Sequence, residues 1–243
     1  MNFIMLGALV NCGAVIIGSL IGLLFKKGIS ERVSETVMKG MALCVLWIGV
    51  TGAIEESPET DGTKRALVII FSLLFGAVVG ELIDLDKWVG RLGAWIEKKV
   101  GTGHGNVTQG FVTATLLFCV GAMSVLGPLE SGLKNDHTTQ YTKSVLDFVS
   151  SVIYTSSMGI GVIFSAVSVL VLQGGTTLFS QWISPVLTDA VVAEMSVVGS
   201  LLIVGLAFNI LGITKLKIMN YLPAVFLTIP FCRLYDMAIS LIN

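Results

Sequence analysis

Ser144 and Asp147 stand three residues apart in Lys143-Ser144-Val-Leu-Asp147-Phe, at the edge of a stretch with no charged residue from Phe148 to Thr188. Residues at i and i+3 share one face of a helix. Carrying that face onward reaches Ser151, Tyr154, Thr155 and then Met158. A polar stripe on a membrane-spanning helix turns toward the protein interior, because lipid tails offer it no hydrogen-bond partner. A carboxylate at that depth costs about 2.5–3.5 kcal/mol on insertion scales, and passage of a solute is one reason to keep it. The plainer arrangement puts Asp147 at the membrane interface as a helix N-terminal carboxylate, with Ser144 as the cap. Asn11 and Asn209 lie inside other apolar stretches, where an amide wants either an interhelical partner or a substrate.

A second set of acids lies in two polar loops. Glu55, Glu56, Glu59 and Asp61 in one, with Glu130 and Asp136 in the other, make six acids against four bases. Acidic mouths concentrate cations, so Glu130 and Asp136 are candidates to guard an entrance; a solvated loop is the simpler alternative. Glu81 follows Gly76-x3-Gly80 and reads as the surface end of a helix. Arg233 and Asp236, spaced i and i+3, read as a mutually neutralising pair. Gly18-x3-Gly22 and Gly76-x3-Gly80 are small-residue faces for close helix approach. The sequence contains no Walker A, GxSxG, HExxH or EF-hand pattern. His137 beside Asp136 lacks a third catalytic member, and the four cysteines form no CxxC pair. An enzyme, a cofactor and a metal site are therefore not expected.

These residues sit in a chain that water would not dissolve. Of 243 residues, 54% are hydrophobic and 13% charged, with 27 glycines, where soluble domains carry about 25% charged residues. Mean hydropathy is +0.88. A water-soluble globule needs more polar surface to cover itself, which excludes a soluble enzyme. Net charge of −1 removes the electrostatic case for nucleic acid.

The elements that must position the candidates are membrane spans. Uncharged stretches long enough to cross are Met1–Phe25, Phe111–Leu129, Phe148–Gly174 and Met195–Thr214. Gly40–Ile54, Ala66–Gly80 and Ile218–Cys232 are shorter; they cross if flanking Lys and Arg snorkel, or else form re-entrant segments. Seven crossings follow, or eight if the second part of the long uncharged run from Phe148 to Thr188 also crosses. The long uncharged run must break, and Gly174–Gly175 is the expected place. Asp84–Lys99 places Leu85, Trp88, Val89, Leu92, Trp95 and Ile96 on one stripe, an amphipathic helix lying in the interface. Gly28–Met38 and Thr176–Ala190 are further surface-helix candidates. Lys and Arg counts, eight against six, put the N-terminus outside and the C-terminus in the cytoplasm.

Offsetting the chain by 75 residues aligns Cys44, Val45, Val50, Gly52, Glu55, Asp61 and Thr63 with Cys119, Val120, Val125, Gly127, Glu130, Asp136 and Thr138. This suggests parallel two-span repeats over about 40–80 and 115–155, a layout known among transporters. The run Gly132-Leu-x-x-Asp136 … Lys143-Ser144-x-Leu-Asp147, with Gly7-Ala-x-x-Asn11 and Asn220-x-Leu-Pro223-Ala, resembles the bacterial membrane proteins grouped as domain of unknown function 554. The resemblance covers essentially the whole chain and brings no established activity. It implies a bacterial multi-span membrane protein of a kind spoken of as transporters.

The reading is an all-α polytopic membrane protein of about seven transmembrane helices with interfacial amphipathic helices, one transmembrane domain over residues 1–243. It sits in the bacterial plasma membrane, with the lipid bilayer, a small solute or ion and a second copy of itself as partners. The expected function is transport or channelling of that solute, with Asn11, Ser144, Asp147, Ser151 and Thr155 lining the route and Glu130 and Asp136 at its mouth. A non-transporting scaffold or regulatory partner is the alternative, and a membrane-embedded enzyme a more distant one.

Overall fold

Lipid leaves every unpaired backbone N–H and C=O unsatisfied, so a chain this apolar must bond its backbone within helices. A computed structural model describes residues 4–26, 31–55, 62–100, 107–120 and 123–242. Among these the regular elements are all helical: α1 (Leu6–Lys26), α2 (Glu31–Glu55), α3 (Gly62–Ile83), α4 (Leu85–Val100), α5 (Val107–Cys119), α6 (Met123–Lys134), α7 (Thr138–Met158), α8 (Ser165–Leu178), α9 (Ser180–Ile183), α10 (Asp189–Ile210) and α11 (Leu222–Ile242). Single 3-10 turns at Ile160–Phe164 and Ile218–Tyr221 precede α8 and α11.

Six segments are long and apolar enough to cross a membrane: α1, α2, α3, α8 with its 3-10 turn, α10 and α11. Helices α5 and α6, bent by 56° at their junction, are long and apolar enough together to form a seventh, as a broken span or a re-entrant pair. The outward faces are apolar, with Leu24, Leu82 and Val171 each more than two-thirds exposed. The protein is an all-α polytopic membrane protein. Of the three short uncharged stretches, Ala66–Gly80 is the middle of α3, Gly40–Ile54 the C-terminal part of α2, and Ile218–Cys232 the 3-10 turn with the first half of α11, where Arg233 and Asp236 follow in mid-helix. Helix α10 is buried along most of its length, from Val191 to Ala207.

Glycines decide which helices meet. A Cβ on Gly18 would lie 2.5 Å from the Phe148 carbonyl, and one on Gly22 2.5 Å from that of Val152, so α1 seats directly on the backbone of α7. Gly49 and Gly52 admit Ser200 of α10 to α2 in the same way. Gly76 and Gly80 admit Ala224 and Asn220, next to α3. Along α1 and α7 the contacts rise together (Gly7 with Gln140, Gly18 with Phe148, Gly22 with Val152), so these two run parallel. Helices α2 and α10 run antiparallel, as do α3 and α11.

Helix α7, 21 residues long, is too polar to be counted with the six but lies among them beside α1. By length and apolarity six or seven segments qualify, in line with the seven expected, and α7 would add one more if it also crosses. Met5 touches Gly174 near the end of α8, and Arg233 donates to the Pro185 carbonyl just beyond α9 at 3.3 Å. The start of α1 and Arg233 of α11 therefore both lie near the α8–α9 end of the bundle.

Three local expectations need correction. The long uncharged run breaks at Gly159, whose φ of 87° ends α7, while Gly174–Gly175 lies inside α8. Gly161 seats against the Val107 carbonyl at this bend, so packing chooses the break. The expected span Phe148–Gly174 is consequently the second half of α7 plus most of α8. Helix α2 starts at Glu31 and runs unbroken, so Gly28–Met38 is no separate surface helix. Within Thr176–Ala190, only Ser180–Ile183 forms a helix of its own, and Thr188 caps α10. The interfacial helix is found as α4, with Trp88 and Trp95 exposed and Leu85 and Val89 packed on the core. The first of the two similar stretches passes from α2 to α3, the second from α5 through α6 to α7; Asp61 and the Glu55 side chain lie outside the described residues.

Candidate functional site

Helix α7 begins where Asp136 accepts a hydrogen bond from the Thr138 backbone N–H at 2.9 Å. From there its buried face runs Gln140, Lys143, Ser144, Asp147, Ser151, Tyr154, Thr155 and Met158, at three- and four-residue steps. This face meets α1 across Gly18 and Gly22, and α8 packs on α1 beside it, where Gln173 accepts from Asn11.

Asp147 is the centre of the seam. Lys143 Nζ donates to both its carboxylate oxygens, at 2.9 and 2.8 Å. The two side chains are only 8% and 7% exposed. Asn11 Nδ2, from α1, donates to Asp147 Oδ2 at 2.9 Å and to Gln173 Oε1 of α8 at 3.0 Å. One charge pair and two amides thus tie three helices together. Asp147 stands nine residues into α7, not at its first turn, and Ser144 donates back to the Gln140 carbonyl at 2.7 Å instead of capping. Ser151 likewise donates to the Asp147 carbonyl at 2.6 Å. Such bonds to the preceding turn satisfy a hydroxyl without a partner from another helix.

Several polar atoms in this seam are buried with no partner: Asn11 Oδ1, Gln140 Nε2, Thr155 Oγ1 and Gln173 Nε2; Thr177 Oγ1, on the α8 turn that packs against Gly132 of α6, is another. Leaving such groups unmade is expensive in a low-dielectric interior. The seam itself is closed, since the α1 glycines seat on α7 carbonyls. A cavity of about 200 Å³ lies elsewhere, among Val120, Leu172, Ile183, Val186, Phe226 and Ile229, and is apolar.

The mouth residues have structural partners. Glu130 Oε2 accepts from Thr139 Oγ1 at 2.6 Å, and Asp136, one residue before the His137 N-cap position, accepts the Thr138 N–H, so both fasten the turn between α6 and α7. The Thr138 N–H holds the Asp136 carboxyl below the usual aspartate range. Ser131 donates to Gln140 Oε1 at 2.6 Å, and His137 Nδ1 lies 3.0 Å from the same hydroxyl. Glu56, Glu59 and Asp61 lie outside the described residues, as does the Glu55 side chain.

The remaining singled-out groups resolve as fasteners. Arg233 and Asp236 do not pair; antiparallel α3 brings Lys64 to Asp236 at 2.5 Å. Beside them Arg65 Nε donates to Glu194 Oε1 at 3.1 Å, a second buried pair whose Glu194 Oε2 has no partner. Glu81 accepts from Lys217 and from Asn220 Nδ2, and its carboxylate raises the Lys217 pKa. Asn209 bonds Thr214 and both backbone groups of Leu216, which closes the turn after α10 without an interhelical partner. Among the described residues no three His, Cys, Asp or Glu side chains group as metal ligands.

Sequence reasoning missed Lys143, Gln140 and Gln173 as members of the seam. The first two carried a signal, lying four and seven residues before Asp147 on the same face. Gln173 carried none, because only the turn at Gly159 folds α8 back onto Asn11.

Comparison with known proteins places the chain. Residues 6–233 match the family model described as "Protein of unknown function (DUF554)". The uncharacterized membrane protein YdfK of Bacillus subtilis (strain 168) is 32% identical over 221 residues, covering 91% of this chain and 93% of that one. The uncharacterized protein YqgA of Escherichia coli (strain K12) is 26% identical over 230 residues, covering 93% and 95%. No solved structure matches. With the family model spanning almost the whole helical bundle and a relative aligned from end to end, this chain belongs to the DUF554 family.

Proposed function

We propose that the protein is a transporter of the bacterial plasma membrane, moving a small polar solute or ion, chemically unchanged, along the seam between α1, α7 and α8. The observation that carries this reading is the buried Lys143–Asp147 pair with partnerless polar atoms beside it, at Asn11, which bonds Asp147, at Gln173, which bonds Asn11, and at Gln140, one turn before Lys143 on the same face. A seam built only to hold helices together gains nothing from orphaned donors and acceptors, whereas a solute site needs them. Transporters place polar groups near the bilayer midplane, and Asp147 lies near the middle of its helix. The two similar stretches, one passing from α2 to α3 and the other from the bent α5–α6 pair to α7, are compatible with a transporter layout. Closure by Gly18 and Gly22 corresponds to an occluded conformation that opens when α1 and α7 part.

The test is flux in proteoliposomes. Asp147→Asn keeps the shape of the carboxylate but replaces one accepting oxygen with an NH2 donor and strands Lys143, and is expected to cut solute flux at least about tenfold, the equivalent of about 1.4 kcal/mol. Flux that survives unchanged, with unchanged ion dependence, removes Asp147 from the route. The tight closure of the same seam favours a second reading, a non-transporting membrane scaffold. That reading gains if no solute crosses and both Lys143→Met and Asp147→Leu, made together, leave every cellular phenotype intact.

A further inference from the structure

The seam also carries information about what it would bind, an inference that rests on the transport reading above. Lys143 and Asp147 are in direct contact and almost wholly withdrawn from water. An uncompensated charge at such depth is strongly disfavoured. Anything that separates the pair must therefore satisfy both partners together. A lone cation on Asp147 would strand Lys143, a lone anion on Lys143 would strand Asp147, and an uncharged solute would leave the pair shut. Only a molecule bearing both charges replaces one ion pair with two while the seam stays neutral.

The unpartnered atoms agree with that division. Asn11 bonds Asp147 through Nδ2, which leaves its Oδ1, an acceptor, free on the same amide. An acceptor beside a carboxylate suits an ammonium. Gln173 takes the other Asn11 bond through Oε1, which leaves its Nε2, a donor, free. A donor of that kind, together with Lys143, suits a carboxylate. Because the protein's two charges touch, the ligand's two must be close as well, as on one carbon atom. We infer that the solute is a small zwitterion of the α-amino-acid class, its ammonium held by Asp147 and Asn11 and its carboxylate by Lys143 and Gln173.

The test uses the full chain purified in lipid nanodiscs and reads the thermal unfolding midpoint. Probes are the standard amino acids one at a time, against sodium acetate, methylammonium chloride and sodium chloride at the same concentration. At least one amino acid is expected to raise the midpoint by about 2 °C or more, through mass action on the folded state, and to cross proteoliposomes in an Asp147-dependent manner, while the singly charged probes do neither. The double variant Lys143→Met with Asp147→Leu removes both charges without stranding either. It is expected to unfold cooperatively and to lose the amino-acid response. The inference is overturned if acetate, methylammonium or sodium shifts the midpoint equally, if no amino acid shifts it, or if the double variant keeps the response. Sodium or acetate flux that depends on Asp147 sinks the zwitterion and leaves transport standing. The absence of any Asp147-dependent flux sinks transport itself.

Discussion

Asp136 shows how a residue placed at a mouth can be occupied with holding up a helix. Its carboxylate accepts the Thr138 N–H at the start of α7, where the helix dipole also favours negative charge. That bond, with smaller contributions from His137 and Lys134, keeps its pKa below the ordinary 3.8. A carboxyl whose folded pKa is depressed adds stability in full above its unfolded value and loses it as pH falls through the lower folded value. The expected outcome is that Asp136→Ala lowers the unfolding midpoint at pH 7 and leaves it unchanged well below pH 3, measured in detergent against the parent chain. A loss of equal size at both pH values would show that holding the Thr138 N–H is not what the side chain does. Asp147 differs in kind, because its partners come from its own helix and from α1, with α8 joined through Asn11. This is why it, and not Asp136, carries the functional reading.

At the scale of elements, the helix pairings rest on missing side chains. Gly18→Ala would set a Cβ 2.5 Å from the Phe148 carbonyl and 3.0 Å from Ser151 Cβ. Backbone cannot yield as a flexible side chain does, so α1 must lift from α7 at about 1–3 kcal/mol. Gly13, on the same helix, has nothing within 4 Å of an added Cβ, and alanine there gains up to about 1 kcal/mol of helix propensity. Unfolding titrations of the two variants should move in opposite directions; equal effects would mean that contact with α7 is not what Gly18 serves. How much of this was legible follows from the reach of each signal. The buried face from Ser144 to Met158 is local periodicity, and so are the stripe of α4 and the small-residue faces. The bend at Gly159 was not legible, because Gly174–Gly175 offers the same composition and only Gly161 against Val107, far away in sequence, makes the choice. Lys64 with Asp236, and Gln173 with Asn11, were hidden for the same reason: no spacing rule says which helices become neighbours.

At the scale of the whole molecule, if α7 crosses as well as the six apolar helices and the bent α5–α6 pair, α1 starts and α11 ends on the same side of the membrane. Reporter fusions to each end, one active only in the cytoplasm and one only outside it, should therefore agree. A split result would restore the odd count of crossings. The parallel seating of α1 on α7 has a further consequence, for biogenesis. Helix α1 leaves the ribosome roughly a hundred residues before α7, a delay of about 5–20 s at ordinary synthesis rates. During that interval the Asn11 amide waits in the bilayer with neither Asp147 nor Gln173 yet made. When α7 follows, its apolar content alone recommends it poorly to the translocon, but a docking rail with a matching amide is already in place. The earliest helix thus serves the later, more polar one as a built-in insertion guide.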